Sequence, residues 1–209
     1  MIPLLQNKHI VLGVSGSIAC YKALELTSKL TQAGSLVDIV MTNGATEFVS
    51  PLSFRSITHR EVVTEMFNFD SELSVNHVAL AKRADLMVVA PATANILAKL
   101  ALGISDNPLT TTYIATNAPV IVAPAMDGHM YHHATVQNNL NSLRKQGVFI
   151  IGPSEGYLAS GTIGKGRLVE TSEIMGHIRT ILGKGGDLSG STILISAGGT
   201  QEPIDPVRM

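Results

Sequence analysis

The sequence predicts an α/β fold, a doubly wound and mainly parallel sheet with helices on both faces. Three observations predict it. Short apolar runs (His9 to Val14, Leu36 to Met41, Leu86 to Ala90, Pro119 to Ala123, Val148 to Ile151) alternate with longer segments of helical spacing. The runs are continuously apolar instead of alternating, which is the pattern of strands buried on both faces of a parallel sheet. Small polar residues follow most of the runs, so hydroxyls, amides and bare backbone gather at the end of the sheet where open α/β folds bind ligands.

Composition bounds the rest. With 209 residues and 45% apolar content, the chain can build one sizeable domain plus an appendage; aromatics are 4% and Trp is absent, so the core is aliphatic. A formal net charge of -1 without a Lys/Arg cluster speaks against a nucleic-acid surface and against a polybasic membrane anchor. No apolar run approaches membrane-spanning length, and polar Gln6, Asn7 and Lys8 stand where a signal peptide would be apolar. The single cysteine, Cys20, excludes an internal disulfide framework, so the expected address is the cytoplasm.

Taken in order, the first run ends in Ser15-Gly16-Ser17, and Ile18, Tyr21, Leu24, Leu26 and Leu30 then keep helical spacing up to Gly34. The loop is neither a GxGxxG nor a Walker A, which leaves two readings open: a phosphate cradle, or a plain βα turn with Ser17 as N-cap. Cys20, inside the helix, reads as a buried small apolar residue. The second run ends in Thr42-Asn43-Gly44, and Ser50-Pro51 opens a short helix through Thr58, Pro being at home in a first turn. Arg60 to Phe67 reads as an irregular edge strand, and Asn68 to Asn76 as a loop.

His77 opens a short helical pattern feeding the central strand. That strand, Leu86 to Ala90, ends at Pro91, and Thr93 and Asn95 precede a helix through Ile96, Leu97, Leu100 and Leu102. Unpaired N–H groups at such a helix start favour an electron-rich or anionic ligand. A further helix starts at Asp106-Asn107-Pro108, and the fourth strand, Pro119 to Ala123, leads into Pro124-Ala125-Met126-Asp127-Gly128. A helix from about Thr135 to Gln146 precedes the fifth strand. His129, His132 and His133 cluster without a carboxylate or thiol partner that completes a site, so no metal is expected. Gly152 to Leu168, with five glycines and little periodicity, reads as a functional flap. A helix from Ser172 to Leu182 closes the domain, and a glycine linker and a strand from Thr192 to Ala197 follow.

The segments GVSGSIACYKA, NHVALAKRAD, APATANILAKLALGISDNPLTTT, APAMD and GYLASGTIGKGRL, in this order, resemble the homo-oligomeric flavin-containing cysteine decarboxylases. In particular they resemble the decarboxylase half of bacterial bifunctional phosphopantothenoylcysteine decarboxylase/phosphopantothenate–cysteine ligase. The resemblance implies a Rossmann-like, flavodoxin-like fold over residues 1–182, a linker over 183–190, and a truncated start of a ligase domain over 191–209, where ISAGGTQEPIDPVR resembles the ligase half. No ligase activity is expected from so short a piece.

The resemblance also implies roles. FMN would place its phosphate at Gly16, Ser17 and Thr42 and its ring against Thr93, Ala94 and Asn95. His77 matches the family's catalytic histidine, and Met126, Asp127, Ser160 and Arg167 fall on the substrate side. Relatives form homotrimers, and ligase-fused members assemble trimers into dodecamers. In them the substrate's cysteinyl thiol gives up a proton and a hydride passes to FMN; the thioaldehyde then serves as an electron sink for loss of carbon dioxide, leaving an enethiol. In the coenzyme A pathway a flap cysteine donates the proton that accompanies return of the hydride, giving 4'-phosphopantetheine from 4'-phosphopantothenoylcysteine.

Two positions depart from the family pattern. Ser160 stands where the flap has cysteine, and an alkyl hydroxyl is a far weaker acid than a thiol, so the reaction is expected to stop at the enethiol. Asp127 stands where the family has an asparagine contacting the substrate carboxylate; an ionised Asp127 would repel that group unless the pair raises a pKa and protonates it. The alternatives are an oxidative decarboxylase of a peptide C-terminal cysteine and a non-catalytic, FMN-binding regulatory paralogue.

Overall fold

The computed structural model describes residues 3–66, 76–186, 189–195 and 198. The elements, in chain order, are β1 (His9–Val14), α1 (Cys20–Gln32), β2 (Leu36–Met41), α2 (Asn43–Thr46), α3 (Pro51–Thr58), β3 (Val62–Val63), α4 (Asn76–Arg83), β4 (Leu86–Ala92), α5 (Ala94–Leu102), α6 (Pro108–Ala115), β5 (Val120–Pro124), α7 (Gly128–His132), α8 (Ala134–Lys145), β6 (Phe149–Ile150), β7 (Ser154–Tyr157), β8 (Ile163–Arg167) and α9 (Thr171–Leu182). Six strands form a parallel sheet in the order β3-β2-β1-β4-β5-β6, and β7 and β8 pair antiparallel as a separate hairpin. With the two-residue edge strand β3 counted, the order is that of a dinucleotide-binding sheet; without it, that of flavodoxin.

The central strands feed two cores. Ile10, Leu12, Val14, Leu86, Val88 and Ala90 point to one face, where they meet Leu26 and Leu30 of α1, Phe54 of α3 and Ile174 and Ile178 of α9. Val11, Met87 and Val89 point to the other, against Ile96, Leu97 and Leu100 of α5, Leu109 of α6 and Leu140 and Leu143 of α8. The period-two alternation of a strand, applied to uninterrupted apolar runs, gives a sheet covered on both sides.

Several boundaries differ from the sequence expectation, each for a local reason. The central strand runs on through Pro91 to Ala92: Pro91 has no N–H to give, but its carbonyl accepts both the Ser15 amide (3.3 Å) and the Ser15 hydroxyl (2.8 Å). Helix α1 starts at Cys20 with Ala19 at its cap, because the Ser17 hydroxyl accepts the Ala19 amide inside the turn instead of capping the helix. Ile18 and Tyr21, placed on the buried stripe by their spacing, are 59% and 60% exposed; the buried face is Cys20, Ala23, Leu26 and Leu30. Leu102 is also exposed. Thr192 to Ile195 carry no strand and are exposed, since among the described residues no sheet edge pairs with them; Ser196 and Ala197 lie outside the described residues. So do Phe67 and the expected loop up to Ser74 and Val75, whereas Asn76 already belongs to α4. No helix among the described residues is long and apolar enough to cross a membrane.

Candidate active site

The strand order reverses at β1, which has β2 on one side and β4 on the other, so the connections after β1 and β4 leave in opposite directions and open a crevice at their carboxyl ends. Ser15 sets its width. Its buried hydroxyl donates to the Pro91 carbonyl at 2.8 Å and accepts the Thr93 amide at 3.0 Å, tying the two turns together. The Thr93 hydroxyl in turn accepts the Ile96 amide and caps α5. Gly16 sits against the backbone of Gly44 in the turn after β2: a Cβ on Gly16 would lie 2.7 Å from the Gly44 carbonyl. Only glycine permits that approach, which brings three strand ends together.

The result is a cleft of about 820 Å³ lined by Gly16, Ser17, Thr42, Thr93, Ala94 and Asn95, with Met126 and Met130 on the far wall. Beside it, a second cavity of about 440 Å³ lies beneath the β7–β8 hairpin. Ser17, Ala125 and Met126 line both, so the two spaces adjoin. The hairpin is clamped at its base. The Met126 amide donates to the Gly166 carbonyl at 3.0 Å, and a Cβ on Gly166 would fall 2.1 Å from the Met126 carbonyl oxygen. At its tip the Ser160 hydroxyl donates to Asp127 Oδ2 at 2.8 Å, while Asp127 Oδ1 accepts the His129 amide at 2.9 Å and caps α7. The Ser160 hydroxyl, and after it the His129 amide, hold the Asp127 carboxyl below the usual carboxylate range.

A third polar group closes the wall. Lys22, buried in α1, donates to the Leu168 carbonyl at 3.2 Å and to Glu170 Oε1 at 2.9 Å, and Arg167 Nη2 reaches the same Glu170 oxygen at 2.9 Å. Lys22 first, and Arg167 more weakly, keep the Glu170 carboxyl low. A cation that far inside an otherwise apolar helix face is tolerated because a carboxylate and a carbonyl meet it.

The structure thus gathers all six residues expected around the cofactor into one cleft, and Met126, Asp127, Ser160 and Arg167 into the adjoining cavity. His77 lines neither. It is half-buried in the first turn of α4, a helix packed against α6 and β1. Residues that sequence reasoning passed over are Ser15, Lys22 and Glu170. Ser15 was visible as a hydroxyl directly after an apolar strand; the Lys22–Glu170 pair spans 148 positions and leaves no local signal. Among the described residues, no cluster of His, Cys, Asp and Glu has the makings of a metal site.

With this geometry in place, comparison with known proteins is decisive for the family. Residues 4–183 match the family model described as Flavoprotein. The chain belongs to the Flavoprotein family. It is 48% identical over 207 residues to the coenzyme A biosynthesis bifunctional protein CoaBC of Bacillus subtilis (strain 168), covering 98% of this chain and 51% of that protein. It is 41% identical over 204 residues to CoaBC of Escherichia coli (strain K12), covering 98% and 50%. The chain therefore spans about half the length of the curated relatives it matches. Among solved structures, a PPC decarboxylase cysteine-to-serine mutant complexed with pantothenoylaminoethenethiol superposes with a TM-score of 0.75 at 31% identity, covering 84% of this chain and 98% of that one. The FMN binding protein AtHal3 gives 0.72 at 31% identity, covering 84% and 96%.

Proposed function

We propose that this chain binds FMN in the larger cleft and catalyses decarboxylation of 4'-phosphopantothenoylcysteine, the decarboxylase step of coenzyme A formation, in the cytoplasm. The observation that carries the proposal is the junction of the two cavities: a hydroxyl-rich crevice at the strand ends opens through Ser17 and Met126 into a flap-covered space with Asp127, Ser160 and Arg167 on its wall.

The residues present fit FMN. The cleft volume is that of a cofactor site. The close Gly16–Gly44 contact leaves bare backbone, and the Ser17 and Thr42 side chains supply hydroxyl donors for a phosphate. Thr93, Ala94 and Asn95 form a low wall for a flat ring. Bound there, FMN supplies an acceptor for the electron pair of the carbon that carries sulfur.

The remaining work falls to the chain. Met126 packs at the boundary where substrate and cofactor meet, and Arg167 presents a guanidinium to an anionic part of the substrate. His77 is the base for the substrate thiol. Its position outside both cavities of one chain supports a homotrimer, or a dodecamer of trimers, in which it serves the site of a neighbour. Residues 1–182 form the catalytic unit, 183–190 a linker, and 191–209 the start of a ligase domain.

Two measurements test the proposal. Purified protein mixed with FMN must show a flavin absorption band that survives desalting; a colourless protein ends it. Mass spectrometry of phosphopantothenoylcysteine incubations then separates three outcomes. Loss of carbon dioxide alone marks the complete reaction. Loss of carbon dioxide plus two hydrogens marks a halt at the enethiol, the outcome expected of a serine acting alone. An unchanged substrate with flavin bound marks a regulatory paralogue. Replacing His77 with Asn is expected to abolish both losses while leaving FMN bound.

A further inference from the structure

We infer that Asp127 and Ser160 act as one acid: Asp127 takes up a proton when a substrate carboxylate enters the space beneath the flap, and Ser160 relays it to the carbon that carbon dioxide has left. The inference rests on the decarboxylase function proposed above and concerns the two positions at which this chain departs from the family pattern.

Those two positions are in contact. Ser160 Oγ lies 2.8 Å from Asp127 Oδ2 and 3.0 Å from Thr162 Oγ1, while Asp127 Oδ1 is fixed by the His129 amide at 2.9 Å. In the free protein Asp127 is ionised, so the one hydroxyl proton of Ser160 points at it and Thr162 donates to Ser160. A substrate carboxylate brought beside Asp127 changes this, because two adjacent carboxylates cannot both stay ionised and share one proton. Of the charged groups around Asp127, Lys22 of α1 and Arg167 of β8 are both held by Glu170, and Lys165 of β8 lies over the ring of Tyr131; His129 of α7 favours the ionised form, so the incoming carboxylate has to outweigh it. Once Asp127 is protonated, the same 2.8 Å separation serves a hydrogen bond of the opposite sense. Asp127 donates to Ser160, and the Ser160 proton turns toward the cavity.

The relay balances. As the bond to the carboxylate breaks, its electron pair becomes the C=C bond of the enethiolate, the C=S pair moves onto sulfur, and carbon dioxide leaves. The C=C pair then takes the Ser160 proton to form a C–H bond, C=S reforms, and Ser160 takes the Asp127 proton. The products are a thioaldehyde, an intact hydroxyl and an Asp127 carboxylate. No alkoxide forms, which removes the objection that a serine is too weak an acid. Departure of neutral carbon dioxide also moves the negative charge from the carboxylate beside Asp127 to the enethiolate sulfur, so the acid strengthens at the moment its proton is needed.

The test uses the flavin-loaded protein and two probes. Pantothenoylaminoethenethiol in D2O is followed by NMR for loss of the hydrogen on the carbon next to nitrogen. The native protein is expected to exchange it; Ser160→Ala and Asp127→Asn are each expected to slow exchange by about 100-fold, and Ser160→Cys to restore it in the Asp127→Asn background. The S-methyl ether of phosphopantothenoylcysteine keeps the carboxylate but has no thiol to react. Calorimetry in buffers of different ionisation enthalpy is expected to show uptake of about one proton per ligand by the native protein and none by Asp127→Asn. Native-rate exchange in Asp127→Asn, or tight binding of the ether without proton uptake, overturns the inference while the decarboxylase function stands. Failure of both probes to bind overturns that function and the relay with it.

Discussion

The two adjoining spaces are built on opposite terms. The cofactor cleft is framed by strand ends that are fully buried a residue or two away, and its shape is set by backbone: the Ser15 bridge, the Thr93 cap and the glycine contact between two turns. The flap cavity is roofed by an exposed hairpin whose apolar tips, Tyr157 and Ile163, are 70% and 74% exposed, and its shape is set by a glycine clamp and a few polar side chains. A rigid frame suits a resident cofactor that needs one geometry. A lightly held roof suits a substrate that must come and go, because segments with few buried contacts open at low free-energy cost.

Substitutions that damage one space and spare the other are the sharpest test of this contrast. The largest expected effect is Gly16→Val. Any Cβ there meets the Gly44 backbone at 2.7 Å, and overpacking of this kind costs about 1–3 kcal/mol, so FMN affinity measured by fluorescence quenching is expected to fall by about 10- to 100-fold. Ser15→Ala comes next. It removes the buried hydroxyl that donates to the Pro91 carbonyl and accepts the half-buried Thr93 amide, so the urea midpoint of the whole domain is expected to drop by the equivalent of about 1–3 kcal/mol. A Ser15→Ala protein as stable as the parent would show that the strand ends do not depend on this bridge.

The same contrast explains what was legible in the sequence. The frame was readable because it is local. Apolar runs such as Leu86–Ala90 have one physical solution, burial on both faces, and the residues that follow them are carried to the cleft by the topology. Ile18 and Tyr21 misled because helical spacing does not tell a core stripe from an apolar rim, and both line the flap cavity. The hairpin was not readable as strands: SEGY and IGKGR have neither alternation nor β-branched enrichment, and their pairing is fixed by contact with Met126 and Gly128. Asp127 and Ser160 were each identified, but their hydrogen bond across 33 positions was not, and that contact changes the expected chemistry of both. His77 shows the limit most directly, since among the described residues of one chain its imidazole lines neither space.

Smaller effects are expected on the flap. Gly166→Ala places a methyl 2.1 Å from the Met126 carbonyl oxygen and must push the hairpin base away. Hydrogen exchange at the flap amides is expected to quicken by about tenfold while β1 and β4 keep their protection. Equal quickening in the central strands would mean that the flap is part of the frame and that the division drawn here is wrong.

The smallest effect is expected from Glu170→Gln, which touches the seam between the two. The amide still accepts from Lys22, so only the charge is lost, and with a side chain 58% exposed the stability change at neutral pH is expected to be at most about 1 kcal/mol. Its pH dependence is the informative part. Because Lys22 and Arg167 hold the folded carboxyl below its unfolded value, the contribution is complete above the unfolded pKa of about 4.3 and fades as pH falls through the lower folded value. Urea titrations of the two proteins are therefore expected to differ at pH 7 and to converge under acid. A gap that persists unchanged at low pH would assign the role of Glu170 to packing, leaving Lys22 to anchor the hairpin to α1 through the Leu168 carbonyl alone.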